Sequence, residues 1–363
     1  MTSMRNKRRW LAASLATALV LAACGSSGSS SNATAAPTTA GDSATTAAPT
    51  TAADTATTAA TGGSASLTDC KTPSGDHIKL AANPWTGSEV NAQLAKAIIE
   101  CKVGTPVDIV EIDENATWTG MDSGQLDGVL EVWPSGHAAD HATYVEQKKS
   151  VLDLGKLGPS AQIGWYIPTY VMDAHPELKT WEGFKDDKLA KLFATAESGD
   201  QGQFLMGDPT YVTYDEQIIA NLKLPLKYVV AGSEAALLTA MDAAVKDQKP
   251  ILLQFWQPHW KWSQGLKFSR VELPKVTDAC KASAKAADGG YACDYPIDEL
   301  YKAVNAGLEK KNAAVFNLIK KMTLTTDQQN AVAGFVDGDG MKPADAAKKW
   351  LDANGAVWGA WLG

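Results

Sequence analysis

From residue 78 onward the chain alternates short apolar runs with stretches of helical period. Ile78 to Ala82 reads as a strand. In EVNAQLAKAIIE, Val90, Leu94, Ala97, Ile98 and Cys101 share one helical face after a Ser88 cap. PVDIVEI (106–112) is the next strand, NATWTGMDSGQ a helical turn capped by Asn115, and DGVLEVW (127–133) a third strand. IGWYIPTYVM (163–172) is a strand interrupted by Pro168, a residue that cannot donate to a ladder and so suits an edge or a crossing. The alternation then restarts through FLMG, a helix from Tyr214 to Leu222, KYVVAG, a helix capped by Ser233, and PILLQFW. KFSRVELP (267–274) is strand-like. Ile297, Leu300, Tyr301, Val304 and Leu308 fall on one helical stripe, and a closing helix runs from Ala344 to Trp361 with Pro343 in its first turn. Two series of alternating strands and helices predict two α/β lobes with parallel sheet, joined by crossings near 165 and 264.

Two strands end alike. KPILLQF runs into Trp256, Pro258, His259 and Trp260, and DGVLEV runs into Trp133, Pro134 and His137. In open α/β sheets ligands bind beyond the carboxyl ends of the strands, so these rings are placed to wall a site in the cleft between the lobes. Trp165, Trp260 and Trp262 read as packing, and Trp118, Trp181, Trp350, Trp358 and Trp361 as core.

Before residue 68 the pattern is different. Arg5, Lys7, Arg8 and Arg9 precede an apolar run from Trp10 to Ala23 that is too short to span a bilayer, and Leu21-Ala22-Ala23-Cys24 follows the pattern of a bacterial lipobox. Residues 1–24 are therefore expected to be a signal peptide, with Cys24 lipid-modified. Residues 25–67 are almost entirely Ala, Thr, Ser, Gly and Pro. Such a stretch has too little apolar surface to offset its ordering entropy and is expected to be a disordered tether. An extracytoplasmic, membrane-anchored globular part follows. Four further cysteines in an exported chain predict two disulfides, Cys70 with Cys101 and Cys280 with Cys293. The net charge of −8, with no basic patch, speaks against nucleic acid.

The segments NPWTGSEVNAQLAKAII, DGVLEVWPSGH, GWYIPTYV, FKDDKLAKLF and KPILLQFWQPHW, with the lipobox, resemble the glycine-betaine- and choline-binding proteins of bacterial ABC importers over nearly all of residues 76–363. The resemblance implies a two-lobed periplasmic-binding-protein-like fold (type II-like). Residues 68–165 and 264–363 would form lobe 1 and residues 166–263 lobe 2, with the ligand between them. It implies a solute receptor, not an enzyme, that hands a quaternary ammonium compound, glycine betaine first, to a permease driven by a separate ATPase, in osmoprotection or nutrition. Choline or carnitine is the alternative solute. Trp85, Trp133 and Trp256 match cage walls, and Tyr211 stands where betaine binders carry a tryptophan after Asn-Pro-Gly. The His137 position helps hold the carboxylate, and His259 is a second donor. The chemistry agrees: a quaternary ammonium offers no N–H, and each aromatic face attracts it by about 0.5–2 kcal/mol. Tyr211 also adds a hydroxyl, and Asp208 nearby favours a cation without a carboxylate. No cofactor or metal is implied, and a monomer is expected.

A carbohydrate-active enzyme is the reading from another class, because sugars also stack on tryptophan. It would use Glu131, with a second carboxylate about 5–10 Å away. His137 and His141 have the spacing of a zinc helix but lack the adjacent glutamate. Asp337-Gly-Asp339-Gly departs from a calcium loop at Met341 and Lys348, and reads as a turn.

Overall fold

The computed structural model describes residues 65–284 and 289–362. The signal peptide with Cys24, and the tether up to residue 64, lie outside the described residues. Ala65, read above as tether, donates its backbone N–H to Gly355 O. Among the described residues no helix is long and apolar enough to cross a membrane.

Among the described residues nine strands form one mixed sheet: β1 (Ile78–Ala82), β2 (Val107–Glu111), β3 (Gly128–Val132), β4 (Val151–Pro168), β5 (Gly202–Met206), β6 (Leu226–Val230), β7 (Leu253–Gln257), β8 (Phe268–Val271) and β9 (Asp298–Asn305). The order is β2-β1-β3-β9-β4-β7-β5-β6, with β8 paired to β4. β1 is parallel to β2 and β3, and β5 is parallel to β6 and β7, as alternating strands and helices require. β4 ties the halves together. Its Val151–Ala161 part pairs antiparallel with β9, and its Gln162–Pro168 part with β7 and β8.

Several expectations change here. The stripe from Ile297 to Leu308 is no helix: Asp298–Asn305 is β9, between β3 and β4. Leu300 through Val304 are buried on both faces of this strand, while Ile297, assigned to the stripe, is 70% exposed. A strand buried on both faces is a continuous apolar run, and such a run also satisfies helical spacing. Strand β4 begins at Val151 and ends at Pro168, where the Thr169–Ala174 helix starts. β8 stays beside β4 near β7, so the chain returns to the first half of the sheet at β9 and not near residue 264. The closing helix is two, Pro343–Ala353 and Gly355–Gly359.

Caps follow the same division between local and distant partners. Ser233 caps the Glu234–Asp247 helix by accepting from Ala236 N. Asp113, not Asn115, caps Glu114–Asp122. Ser88 lies inside the Thr86–Ile98 helix, and its Oγ accepts from Asn83 N. Both disulfides, Cys70–Cys101 and Cys280–Cys293, are formed.

Candidate functional site

At the carboxyl ends of β1, β3, β5 and β7 the chain delivers four aromatic rings, three from the segments that follow the strands and one from β7 itself. Trp85 sits at the N-cap of Thr86–Ile98, in a loop pinned by Asn83, whose Nδ2 donates to Ile112 O and Thr117 Oγ1. Trp133 holds the same position before Pro134–Asp140, where Pro134 pre-sets the first helical turn. Trp256 is the fourth residue of β7. Tyr211 follows β5 in a turn made by Asp208, which accepts from Thr210 N and Thr210 Oγ1 at 2.8 and 2.6 Å. Asp208 thus serves the turn and does not line the site.

The four rings line one cavity of about 360 Å³, counted to its open mouth. Tyr211 stands edge-on to Trp85 (centroids 5.9 Å, 78°) and to Trp256 (5.6 Å, 86°). Its hydroxyl donates to Pro84 O at 3.0 Å, so it closes the wall and does not serve a ligand. Ile163 and Val212 complete the apolar lining. Glu114, Thr213 and Gln254 are the polar part, and Gln254 Oε1 has no hydrogen-bond partner among the described residues.

The histidines are elsewhere. His137 is 2% exposed and does not line the cavity. Its Nε2 lies 2.8 Å from Glu114 Oε2, and its Nδ1 lies 3.0 Å from both Asp140 Oδ2 and Trp118 Nε1. The last two contacts exclude each other, since one needs Nδ1 to donate and the other to accept. Carboxylates at both ring nitrogens favour the charged ring. Burial opposes that charge, but the hydrogen bonds to Asp140 and Glu114 and their charges outweigh it and raise the pKa to about 9. His137 therefore stands behind Glu114, outside the cavity lining.

His259 is likewise committed. Its Nδ1 accepts from Lys261 N at 3.1 Å, so its Nε2–H donates to Glu234 Oε1 at 2.9 Å. The other oxygen of Glu234 accepts from Thr86 N at 2.7 Å. This bond spans the two halves of the sheet, as do Val212 N to Glu114 Oε1 (3.0 Å), Tyr214 Oη to Ser135 O (3.1 Å) and Trp260 Nε1 to Asp337 Oδ2 (2.7 Å). Asp337, read above as part of a turn, lies in the π-helical segment Gly334–Gly338 that continues the Thr326–Ala333 helix, and makes a contact between halves, while His259 orients one of the carboxylates that fasten them.

Sequence reasoning missed Glu114 and Gln254. Each carried a signal: Glu114 opens a helix directly beyond β2, and Gln254 is a polar residue inside the apolar run of β7. Glu131, a charged residue in the wholly buried β3, was noticed for the wrong chemistry. All four hydrogen bonds to its carboxylate come from neutral donors inside the fold.

Buried acids behind the cavity give stability a pH dependence of definite sign. Burial lifts Glu131 from 4.5 to about 7, against hydrogen bonds from Trp85, Trp133 and Gln329. Burial also lifts Asp215 from 3.8 to about 6, against those from Trp165, Tyr295 and Thr213. Like His137, both bind protons more tightly when folded. Their contribution is complete below the unfolded values and is lost as pH rises through about 6 for Asp215, 7 for Glu131 and 9 for His137. Lys302, lowered to about 8 by burial, acts oppositely only above that pH. The ligand-free protein is expected to melt at a higher temperature near pH 5 than near pH 8. A calorimetric scan showing the reverse order would remove these assignments.

Residues 76–353 match the family model described as the substrate binding domain of an ABC-type glycine betaine transport system. The trimethylamine N-oxide-binding protein of Pelagibacter ubique is 30% identical over 302 residues, covering 82% of this chain and 92% of that protein. Among solved structures, the glycine/betaine/L-proline-binding protein ProX of Borrelia burgdorferi superposes with a TM-score of 0.64 at 18% identity, covering 79% of this chain and 97% of the other. The lactococcal OpuAC in its closed conformation with glycine betaine gives 0.62 at 19% identity, covering 80% and 100%. At these identities the structures speak for the fold, a two-lobed periplasmic substrate-binding architecture.

Proposed function

Because the chain belongs to the family of substrate-binding domains of ABC-type glycine betaine transport systems, we propose that its solute is a trimethylated nitrogen compound without a carboxylate, choline or trimethylamine N-oxide, held among Trp85, Trp133, Tyr211 and Trp256. Members of this family are solute receptors of ABC importers for betaine- and choline-like compounds, working outside the cytoplasm, and this chain is one of them, not an enzyme.

The observation that carries the proposal is Glu114. Among the described residues it is the one carboxylic acid lining the cavity, and no Lys, Arg or His lines it. Glycine betaine, which the resemblance puts first, would bring its carboxylate toward a like charge and find no cationic partner. The imidazolium of His137 is shared between Glu114 and Asp140, which leaves that group of three with a net negative charge. A choline hydroxyl can donate to Glu114 or to the free Oε1 of Gln254. Trimethylamine N-oxide, named for the Pelagibacter relative, is the second reading. Its oxygen accepts, and the Thr213 hydroxyl and the Gln254 amide are the donors in the lining.

In this reading lobe 1 comprises β1, β2, β3 and β9 with the C-terminal helices, and lobe 2 comprises β5 to β8, with β4 running between them. The lobes close on the solute, which is then released to a permease with its ATPase. Cys24 and the tether hold the monomer at the membrane.

Titration calorimetry with choline, trimethylamine N-oxide, glycine betaine, carnitine and a neutral sugar tests this. Roughly micromolar binding of choline or the N-oxide, with glycine betaine at least tenfold weaker, is expected. Tightest binding of glycine betaine would overturn the carboxylate-free reading, and binding of the sugar alone would overturn the cage.

A further inference from the structure

The carboxylate of Glu131 lies directly behind the cage and touches two of its walls. Its Oε1 accepts from Trp85 Nε1 at 2.7 Å and from Trp133 Nε1 at 3.0 Å. Its Oε2 accepts from Asn91 Nδ2 at 2.7 Å and from Gln329 Nε2 at 2.9 Å. The residue is 2% exposed, and the first half of the fold closes on it from β3, the Thr86–Ile98 helix and the Thr326–Ala333 helix. Gly87 makes room for this arrangement: a Cβ there would come within 2.8 Å of Gln329 Nε2 and 3.2 Å of Glu131 Oε2.

Resting on the cage reading above, we propose that Glu131 is a specificity-determining residue: one carboxylate oxygen orients two cage indoles and supplies the charge that separates a cationic solute from a neutral one of the same shape. Both indoles turn their N–H edges to one negative oxygen. A hydrogen bond to an anion draws positive charge to the N–H edge and leaves the ring face more negative, which is the side a trimethylammonium group meets. Glu131 itself is buried, so its charge acts on a cation in the cage through little screening.

Four neutral donors are enough to hold a carboxylate but supply no counter-charge. The charged groups near Glu131 are acidic or already paired. Glu234, facing it from the Glu234–Asp247 helix, raises its proton affinity further and is itself bonded to His259, and Glu114 stands with His137 on the cavity side. A quaternary ammonium ion in the cage is the counter-charge that the fold itself does not provide. Burial holds the free carboxyl near 7, so binding of a cation displaces a proton from it below that pH.

The test compares choline with 3,3-dimethylbutan-1-ol, in which carbon replaces the charged nitrogen, on the whole protein and on Glu131→Gln, at about pH 5 and about pH 8. Choline carries the same charge at both. In the unaltered protein choline affinity is expected to rise about tenfold from the lower to the higher pH while that of the alcohol stays flat. In Glu131→Gln, whose amide oxygen still accepts from the indoles, choline is expected to bind about tenfold more weakly at pH 8 and to lose the pH dependence, with the alcohol unchanged. Equal losses for choline and the alcohol, or an unaltered pH profile in the variant, would reduce Glu131 to a structural prop and overturn the proposal. Should Glu131→Gln not fold, the two profiles of the unaltered protein decide, and parallel profiles overturn it. If neither choline nor trimethylamine N-oxide binds the unaltered protein, the cage reading falls and this one with it.

Discussion

Trp256→Ala is expected to weaken choline or trimethylamine N-oxide binding about a hundredfold while the protein remains folded. The ring is 5% exposed, lines the cavity, and gives Tyr211 one of its two edge-on partners. Its removal deletes one π face, worth about 0.5–2 kcal/mol, frees Tyr211 on that side and admits water, and together these reach roughly 3 kcal/mol. The bond from the Trp262 indole Nε1 to the backbone O of residue 256 does not depend on the Trp256 side chain and should persist. Trp256→Phe keeps a face and is expected to lose only several-fold. Calorimetry of the three proteins, with a thermal melt to confirm folding, measures this. A loss of less than threefold in the alanine variant would mean that the cavity is not the binding site.

Glu114→Gln is expected to move selectivity as well as affinity. The amide oxygen can still accept from Val212 N, so the contact between the halves of the sheet is kept. The charge is not. A cation about 5 Å away loses up to roughly 3 kcal/mol of attraction at an effective dielectric near 20, and a betaine carboxylate is relieved of a comparable repulsion. The ratio of choline to glycine betaine affinity should therefore fall at least about tenfold, read from two titrations under one buffer. An unchanged ratio would show that Glu114 does not discriminate, and would return glycine betaine to first place.

Two of the four cavity rings, Trp133 and Trp256, were legible because their places follow from local rules. A strand of apolar residues ending at Trp133 or Trp256 puts the ring at a carboxyl end, and in an α/β sheet those ends converge. Trp85 and Tyr211 came from the family resemblance, and the structure brings them to the same cavity. β9 was not legible. Leu300-Tyr301-Lys302-Ala303-Val304 fits a helix as well as a doubly buried strand, and only its neighbours β3 and β4 decide between them. Lys302 shows the point: it is 1% exposed because its Nζ reaches Lys320 O and Met322 O at the end of the Ala313–Lys321 helix, eighteen and twenty residues away.

The polar half of the site depended on distance still more. His137 was placed as a carboxylate donor, yet its partners are Glu114, 23 residues earlier, and Asp140. His259 answers to Glu234, 25 residues earlier. By itself the sequence determined the alternation of strands and helices through both halves, the cysteines available for the two disulfides, and the rings at the strand ends, because each is set by periodicity or residue type along a few neighbouring positions. Only the tertiary structure decided that the histidines bond to carboxylates outside the cavity lining, that Glu114 and Gln254 line the cavity, and that Glu131 holds two indoles. A buried polar group must find its partner wherever the fold brings one within about 3 Å, and that distance is not written along the chain.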